Sequence, residues 1–137
     1  MTDWIAPELG AEQLSVGYGD RLIIDRLDTV VPPRSFTVII GPNACGKSTL
    51  LRTLARLLDP RDGRVVLDGK DITTLASKDV ARTIGLLPQT SISPEGITVI
   101  DLVRRGRFPH QSFLRQWSAD DEAAVQEALR ATATDGF

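Results

Sequence analysis

The spacing of apolar residues along the chain changes period more than once. Ala11–Tyr18 reads as a strand and Leu22–Ile24 as another, with Gly19-Asp20 turning between them. Leu27–Val31 stays apolar until Pro32-Pro33 interrupts it. Phe36–Ile40 is a continuous apolar and β-branched run, which predicts a central strand covered on both faces and needing partner strands from elsewhere. Beyond Lys47, the residues Leu50, Leu51, Leu54, Leu57 and Leu58 recur at helical spacing, so one side of a helix packs inward until Pro60 ends it.

Asp62-Gly63 then starts a turn, Val65–Leu67 predicts a short strand, and Asp68-Gly69 is a hairpin signal after it. Ser77 is placed to cap a short helix through about Thr83, and Ile84–Leu87 reads as a further strand. From Ile97 the character is helical. Ile100–Arg105 forms one segment, Gly106–Pro109 breaks it, and Ser118 with Asp121 fits a capping box opening Ala119–Ala131. That helix puts Ala124, Val125, Ala128 and Leu129 on one face. Two lobes are expected: an α/β lobe over 1–95 and a helical lobe over 96–137.

Composition narrows the classes without choosing one. The chain has 137 residues, 42% hydrophobic and 25% charged, as expected of one globular domain with a core. Its formal net charge of -2 gives no sign of a nucleic-acid binder. One cysteine excludes an internal disulfide and a cysteine-built zinc site, and one histidine leaves little for a metal cluster. No apolar run approaches the ~20 residues that span a bilayer. The first residues, with Asp3, Pro7 and Glu8, do not read as a signal peptide. A cytosolic location, or one on the cytosolic face of a membrane, is expected.

The chemistry lies in Gly41, Pro42, Asn43, Ala44, Cys45, Gly46, Lys47 and Ser48, which fit the phosphate-loop pattern G-x-x-x-x-G-K-[ST]. Glycines at 41 and 46 permit backbone turns that aim consecutive amides at one anion. The following helix adds the positive end of its dipole. Lys47 supplies a compact charge between β- and γ-phosphates, and Ser48 a hard oxygen for Mg²⁺. Thr49 is within reach of an α-phosphate oxygen. A buried strand entering the loop and an amphipathic helix leaving it are the context the motif requires; the alternative is a glycine-rich turn with a solvated lysine. The expected ligand is ATP.

With these residues placed, the chain resembles the ATP-binding subunit of an ABC transporter. Tyr18 matches the family's aromatic that stacks on adenine, where on sequence alone a core or edge-strand tyrosine is the better reading. Gly85-Leu86-Leu87-Pro88-Gln89 resembles the strand and loop ending in the family's coupling glutamine, which implies that Gln89 contacts Mg²⁺ or the attacking water. The segment from Thr98 to His110, above all Gly106-Arg107-Phe108-Pro109-His110, then Trp117 and Asp120-Asp121-Glu122, resembles importers of the iron–siderophore, haem and cobalamin type. The implied fold is a P-loop NTPase of ABC type: a mixed β-sheet lobe around the P-loop helix, then the start of a helical lobe.

What the resemblance implies functionally is an importer ATPase using ATP and Mg²⁺, partnered by membrane permease subunits and a second ATP-binding subunit. It would sit peripherally on the cytosolic face of the plasma (inner) membrane. The family's signature segment, its Asp-Glu-ending strand with the catalytic base, and its switch histidine are not among these residues, and His110 is in the wrong context for that switch. The sequence resembles the N-terminal half of such a subunit, expected to bind ATP without hydrolysing it alone.

Other readings stay open. A soluble ABC-type ATPase acting on nucleic acid or the ribosome shares the loop, but the Gly106–His110 stretch argues against it. A P-loop kinase would leave Tyr18 and Gln89 unexplained. Arg104, Arg105, Arg107, His110 and Arg115 form a basic stretch readable as a solvated face, a surface near the membrane domain or, least well, a nucleic-acid patch. Phe108, Phe113 and Trp117 are candidate partner anchors or core residues of the helical lobe. Cys45 reads as a small loop residue with no catalytic duty, a reactive thiol being the alternative. Asp68 and Asp71 fit turn chemistry better than metal ligation.

Overall fold

A computed structural model of the chain describes residues 8–89, 96–111 and 117–134. Phe113 and Arg115 lie outside the described residues. The chain divides into two compact units, Met1–Gly85 and Leu86–Phe137.

The first unit is built on a four-stranded antiparallel sheet in the order β2-β1-β3-β4. Its strands are β1 (Leu9–Tyr18), β2 (Arg21–Val31), β3 (Asp62–Leu67) and β4 (Lys70–Asp71). Strict alternation in β1 would put Leu14 on the face opposite Ala11. The register instead slips between Ala11 and Leu14, and Gln13 turns to a φ of 48°. This bulge brings Ala11, Leu14 and Val16 to the same core. Its extra polar groups are satisfied locally: the Gln13 amide donates to Asp28 Oδ1 at 2.7 Å, and the Arg26 amide to Ser15 Oγ at 3.0 Å.

The β3–β4 hairpin forms as its Asp-Gly pair predicts. Asp68 and Gly69 take φ values of 54° and 73°, the two positive angles of a type I′ turn. Asp71 does what its turn setting suggests, its Oδ1 accepting from the amide and hydroxyl of Thr73 at 2.8 and 2.7 Å. These two bonds hold its carboxyl below the usual carboxylate range. Helix α1 (Lys47–Leu54) and helix α2 (Ser77–Thr83) complete the unit, with Leu54, Ile72 and Val80 joining Val65 and Leu67 in the core.

Several expectations are corrected. Helix α1 stops at Leu54, not Pro60. Arg56 adopts a φ of 57°, and the amides of Arg56 and Leu57 donate back to Thr53 O and Arg52 O at 3.0 and 2.8 Å, a Schellman ending. Arginine pays for a conformation glycine would take freely, because its Nη1 reaches Leu75 O at 2.9 Å. Leu57, beyond the helix, is exposed, as is Leu51 within it, and Leu50 and Leu58 only flank the core. Ser77 is the first residue of α2; its cap position is Ala76.

Phe36–Ile40 is not a strand among the described residues, and Phe36 and Ile40 are 95% and 87% exposed. An apolar run becomes a central strand only when others pair along both of its edges, and none of the four strands does so. Ile84–Leu87 likewise has no regular structure.

The second unit contains α3 (Val99–Arg105), a short 3₁₀ turn at Phe108–His110 and α4 (Ala119–Ala131). Helix α4 opens on the predicted capping box: Ser118 Oγ accepts from the Asp121 amide at 3.2 Å, and Asp121 Oδ2 from the Ser118 amide at 3.1 Å. Val125 and Leu129 are buried, but Ala128 is exposed.

Candidate functional site

The loop 41–48 owes its shape to two left-handed residues. Ala44 has a φ of 63° and Gly46 a φ of 98°. Turns of this kind arrange successive amides around a concavity suited to an anion. Gly46 is also the N-cap of α1, with no side chain capping the helix and no acid in its first turn. Its early amides and dipole are left for something outside the helix.

Gly46 has a second reason to be glycine. A Cβ there would lie 3.0 Å from Ile23 Cγ2 and 3.5 Å from Ile24 Cγ1. The β1–β2 hairpin therefore packs directly on the base of the loop and fixes it against the sheet. At the loop's entrance a Cβ on Gly41 would meet Cys45 Sγ at 2.8 Å, so the two limbs approach closely. Lys47 bridges them. Its Nζ donates to Gly41 O at 2.9 Å and Pro42 O at 2.6 Å, with Cys45 Sγ 3.7 Å away. The ammonium is thus tied to the two carbonyls at the start of the loop.

Pro42, Asn43, Ala44 and Cys45 are exposed on the loop, and Ser48 is exposed in the first turn of α1. Thr49 is buried, and its carbonyl accepts from Thr53 Oγ1 at 2.9 Å. Tyr18 ends β1 with 48% of its surface exposed, in the same unit as the loop. Gln89 is exposed and belongs to the second unit.

No group of three or more His, Cys, Asp or Glu suited to a metal occurs among the described residues. The protein ligand the loop would offer to Mg²⁺ is the Ser48 hydroxyl. Ser48 offers a single hard oxygen, and the remaining ligands would be water and phosphate oxygens, as is usual for this ion.

In the second unit, two arginines of the basic stretch have partners within it. Arg107 Nε donates to Asp121 Oδ1 at 2.8 Å, with Asp121 buried at the start of α4. Arg104 reaches Glu122 at 3.6 Å and stacks 5.4 Å from the Trp117 ring centre. Trp117 Nε1 also donates to Glu122, at 2.9 Å. The Arg107 and Ser118 bonds lower the pKa of Asp121; those from Gln126 and Trp117 do the same for Glu122. Arg104 and Arg107 thus join α3 and the turn after it to α4, which the sequence reading of a basic face did not anticipate. The acids that balance them lie beyond the stretch in sequence, at 121 and 122.

Two further contacts in the first unit escaped sequence reasoning. Ile23 read as an ordinary strand residue, although it sets the space at Gly46. Arg61 carries no reading from the sequence, although its guanidinium donates to the carbonyl of Gly19. Neither has a local signal, because each contact crosses between elements distant in sequence.

This assembly of loop, helix and hairpin has clear counterparts. The ABC transporter family model matches residues 24–136. The chain is 53% identical over 124 residues to the probable siderophore transport system ATP-binding protein YusV of Bacillus subtilis (strain 168), covering 90% of this chain and 45% of that protein. It is 52% identical over 132 residues to the ferric enterobactin transport ATP-binding protein FepC of Escherichia coli (strain K12), covering 96% and 48%. Among solved structures, an ATP-binding subunit of an ABC transporter superposes with a TM-score of 0.75 at 23% identity, covering 93% of this chain and 51% of that one.

The chain belongs to the ABC transporter family, and its fold matches part of that family's ATP-binding domain. It spans about half the length of these curated relatives.

Proposed function

We propose that the chain binds MgATP as part of the ATP-binding component of an importer for ferric siderophores or related chelates. The observation that carries this reading is the loop 41–48, with left-handed Ala44 and Gly46, an uncapped helix start and the Lys47 ammonium held at the loop's first carbonyls. All of these favour negative charge at one place. The helix dipole contributes ~0.3–1 kcal/mol toward an anion at such an end, and the charged hydrogen bonds from Lys47 more.

In this reading the amides of 44–48 and Lys47 grip the β- and γ-phosphates. Ser48 gives its hydroxyl oxygen to Mg²⁺, and Thr49 lies next to the α-phosphate. Tyr18 offers its ring to the adenine. Gln89 senses the metal or the attacking water and relays nucleotide state to the permease. Mg²⁺ supplies charge neutralisation on the phosphates. Hydrolysis would also need a group that polarises water and stabilises transition-state charge, and this stretch alone holds nucleotide without turning it over. The partners are integral-membrane permease subunits and a second ATP-binding subunit, on the cytosolic face of the membrane. The transport names of the two relatives support the choice of cargo class.

Displacement of a fluorescent ATP analogue tests the reading. MgATP and magnesium tripolyphosphate should both displace it, and AMP should not, because the grip is on the terminal phosphates. Displacement by AMP as effective as that by ATP would overturn it.

A further inference from the structure

We propose that Arg61 is a positioning residue for nucleobase binding, acting through the turn that carries Tyr18. The proposal rests on the reading of Tyr18 as the adenine platform.

Tyr18 stands between two glycines whose surroundings differ. On one side, a Cβ on Gly17 would lie 2.2 Å from the Arg21 carbonyl oxygen, so the two strands are pressed together there. On the other side, Gly19 has a φ of 48° and open space where a Cβ would be. Sterics fix the inner flank of Tyr18 and leave the outer flank to a residue type with wide backbone freedom. What holds the outer flank is Arg61, whose guanidinium donates to Gly19 O.

Arg61 is itself well anchored. Its amide donates to Ser15 O at 2.8 Å, and the next residue, Asp62, pairs with Ser15 in the β1–β3 register. The arginine thus leaves the sheet three residues before Tyr18 and reaches past it to the turn. A donor anchored on β1 and β3 thereby restricts the carbonyl next to Tyr18. Restricting a binding residue before the ligand arrives raises affinity by reducing what must be ordered on binding. The effect should fall on the base and spare the phosphates, which the loop 41–48 holds.

The test measures Kd for MgATP and for magnesium tripolyphosphate, which has no base, on the whole chain and on Arg61→Ala, Arg61→Lys and Tyr18→Ala. Arg61→Ala should weaken ATP about 3- to 10-fold and change tripolyphosphate by less than about 2-fold. Arg61→Lys, which keeps a donor, should recover part of the loss. Unchanged ATP affinity in Arg61→Ala, or equal losses for the two ligands, would overturn the proposal. The second result would mark Arg61 as a structural residue only. If Arg61→Ala does not fold, Arg61→Lys decides by the same ATP-to-tripolyphosphate ratio. Parental ATP affinity in Tyr18→Ala would instead sink the adenine reading itself, a failure separate from that of Arg61.

Discussion

Replacing Gly46 with alanine tests whether the loop's shape follows from backbone conformation and packing together. The residue sits at φ 98° and ψ 3°. An L-residue in the left-handed region costs ~1–2 kcal/mol. The new methyl would also lie 3.0 Å from Ile23 Cγ2, inside the ~3.5–4.0 Å optimum for carbon pairs. Ile23 is half-buried, so its side chain can retreat, at ~0.5–1.5 kcal/mol for an off-rotamer torsion.

Together these give a loss of ~1.5–3.5 kcal/mol, readable as a lower urea midpoint at unchanged m-value. If the loop relaxes instead, the Lys47 amide turns away and MgATP affinity falls at least ~10-fold. The two causes separate in a double-mutant cycle. Ile23→Ala removes the clashing carbon, so Gly46→Ala should cost less in that background, by ~0.5–1 kcal/mol, while the dihedral part persists. A Gly46→Ala chain within ~0.5 kcal/mol of the parent and with parental affinity would refute the reasoning.

Two further predictions concern stability. Gly63→Ala should be the more damaging glycine substitution, because its Cβ would lie 2.1 Å from the Gln13 carbonyl oxygen at a φ of 72°, and backbone cannot move aside as a side chain can. A loss of ~3–4 kcal/mol in urea unfolding is expected, and a parental midpoint would contradict it. Asp121 is held below its ordinary pKa by Arg107 and Ser118, so its contribution is complete above the unfolded value of ~3.9 and is lost as pH falls through the folded value. The second unit should therefore lose helicity in acid, and Arg107→Ala should move that transition to higher pH; an unmoved acid transition by circular dichroism would count against the pair.

The elements most legible in the sequence are those decided by neighbours in the chain. The Asp68-Gly69 turn and the Ser118–Asp121 capping box are short-range chemistry, and they form as their residues predict. At the loop from Gly41 to Ser48 the helix start at Lys47 follows Gly46 as its local sequence predicts, whereas the strand expected to enter the loop over Phe36–Ile40 is not formed among the described residues. The misreadings come from partners remote in sequence. Phe36–Ile40 has strand-forming residues, but pairing is a property of two edges. Where α1 stops at Leu54, Arg56 turns left-handed and its side chain reaches Leu75, nineteen positions on. Arg104 and Arg107 read as a free basic face because Asp121 and Glu122 lie beyond the end of the run. At the candidate site, Ile23 against Gly46 and Arg61 against Gly19 are invisible for that reason too.

The central claim is that the backbone amides of 44–48 and the Lys47 ammonium together hold a polyphosphate. Isothermal titration of the chain and of Lys47→Ala with MgATP tests it most directly. Saturable heat from the parent, with affinity weakened at least ~10-fold in Lys47→Ala, is the predicted result. Equal affinity in the two chains, or no heat from either, would contradict it.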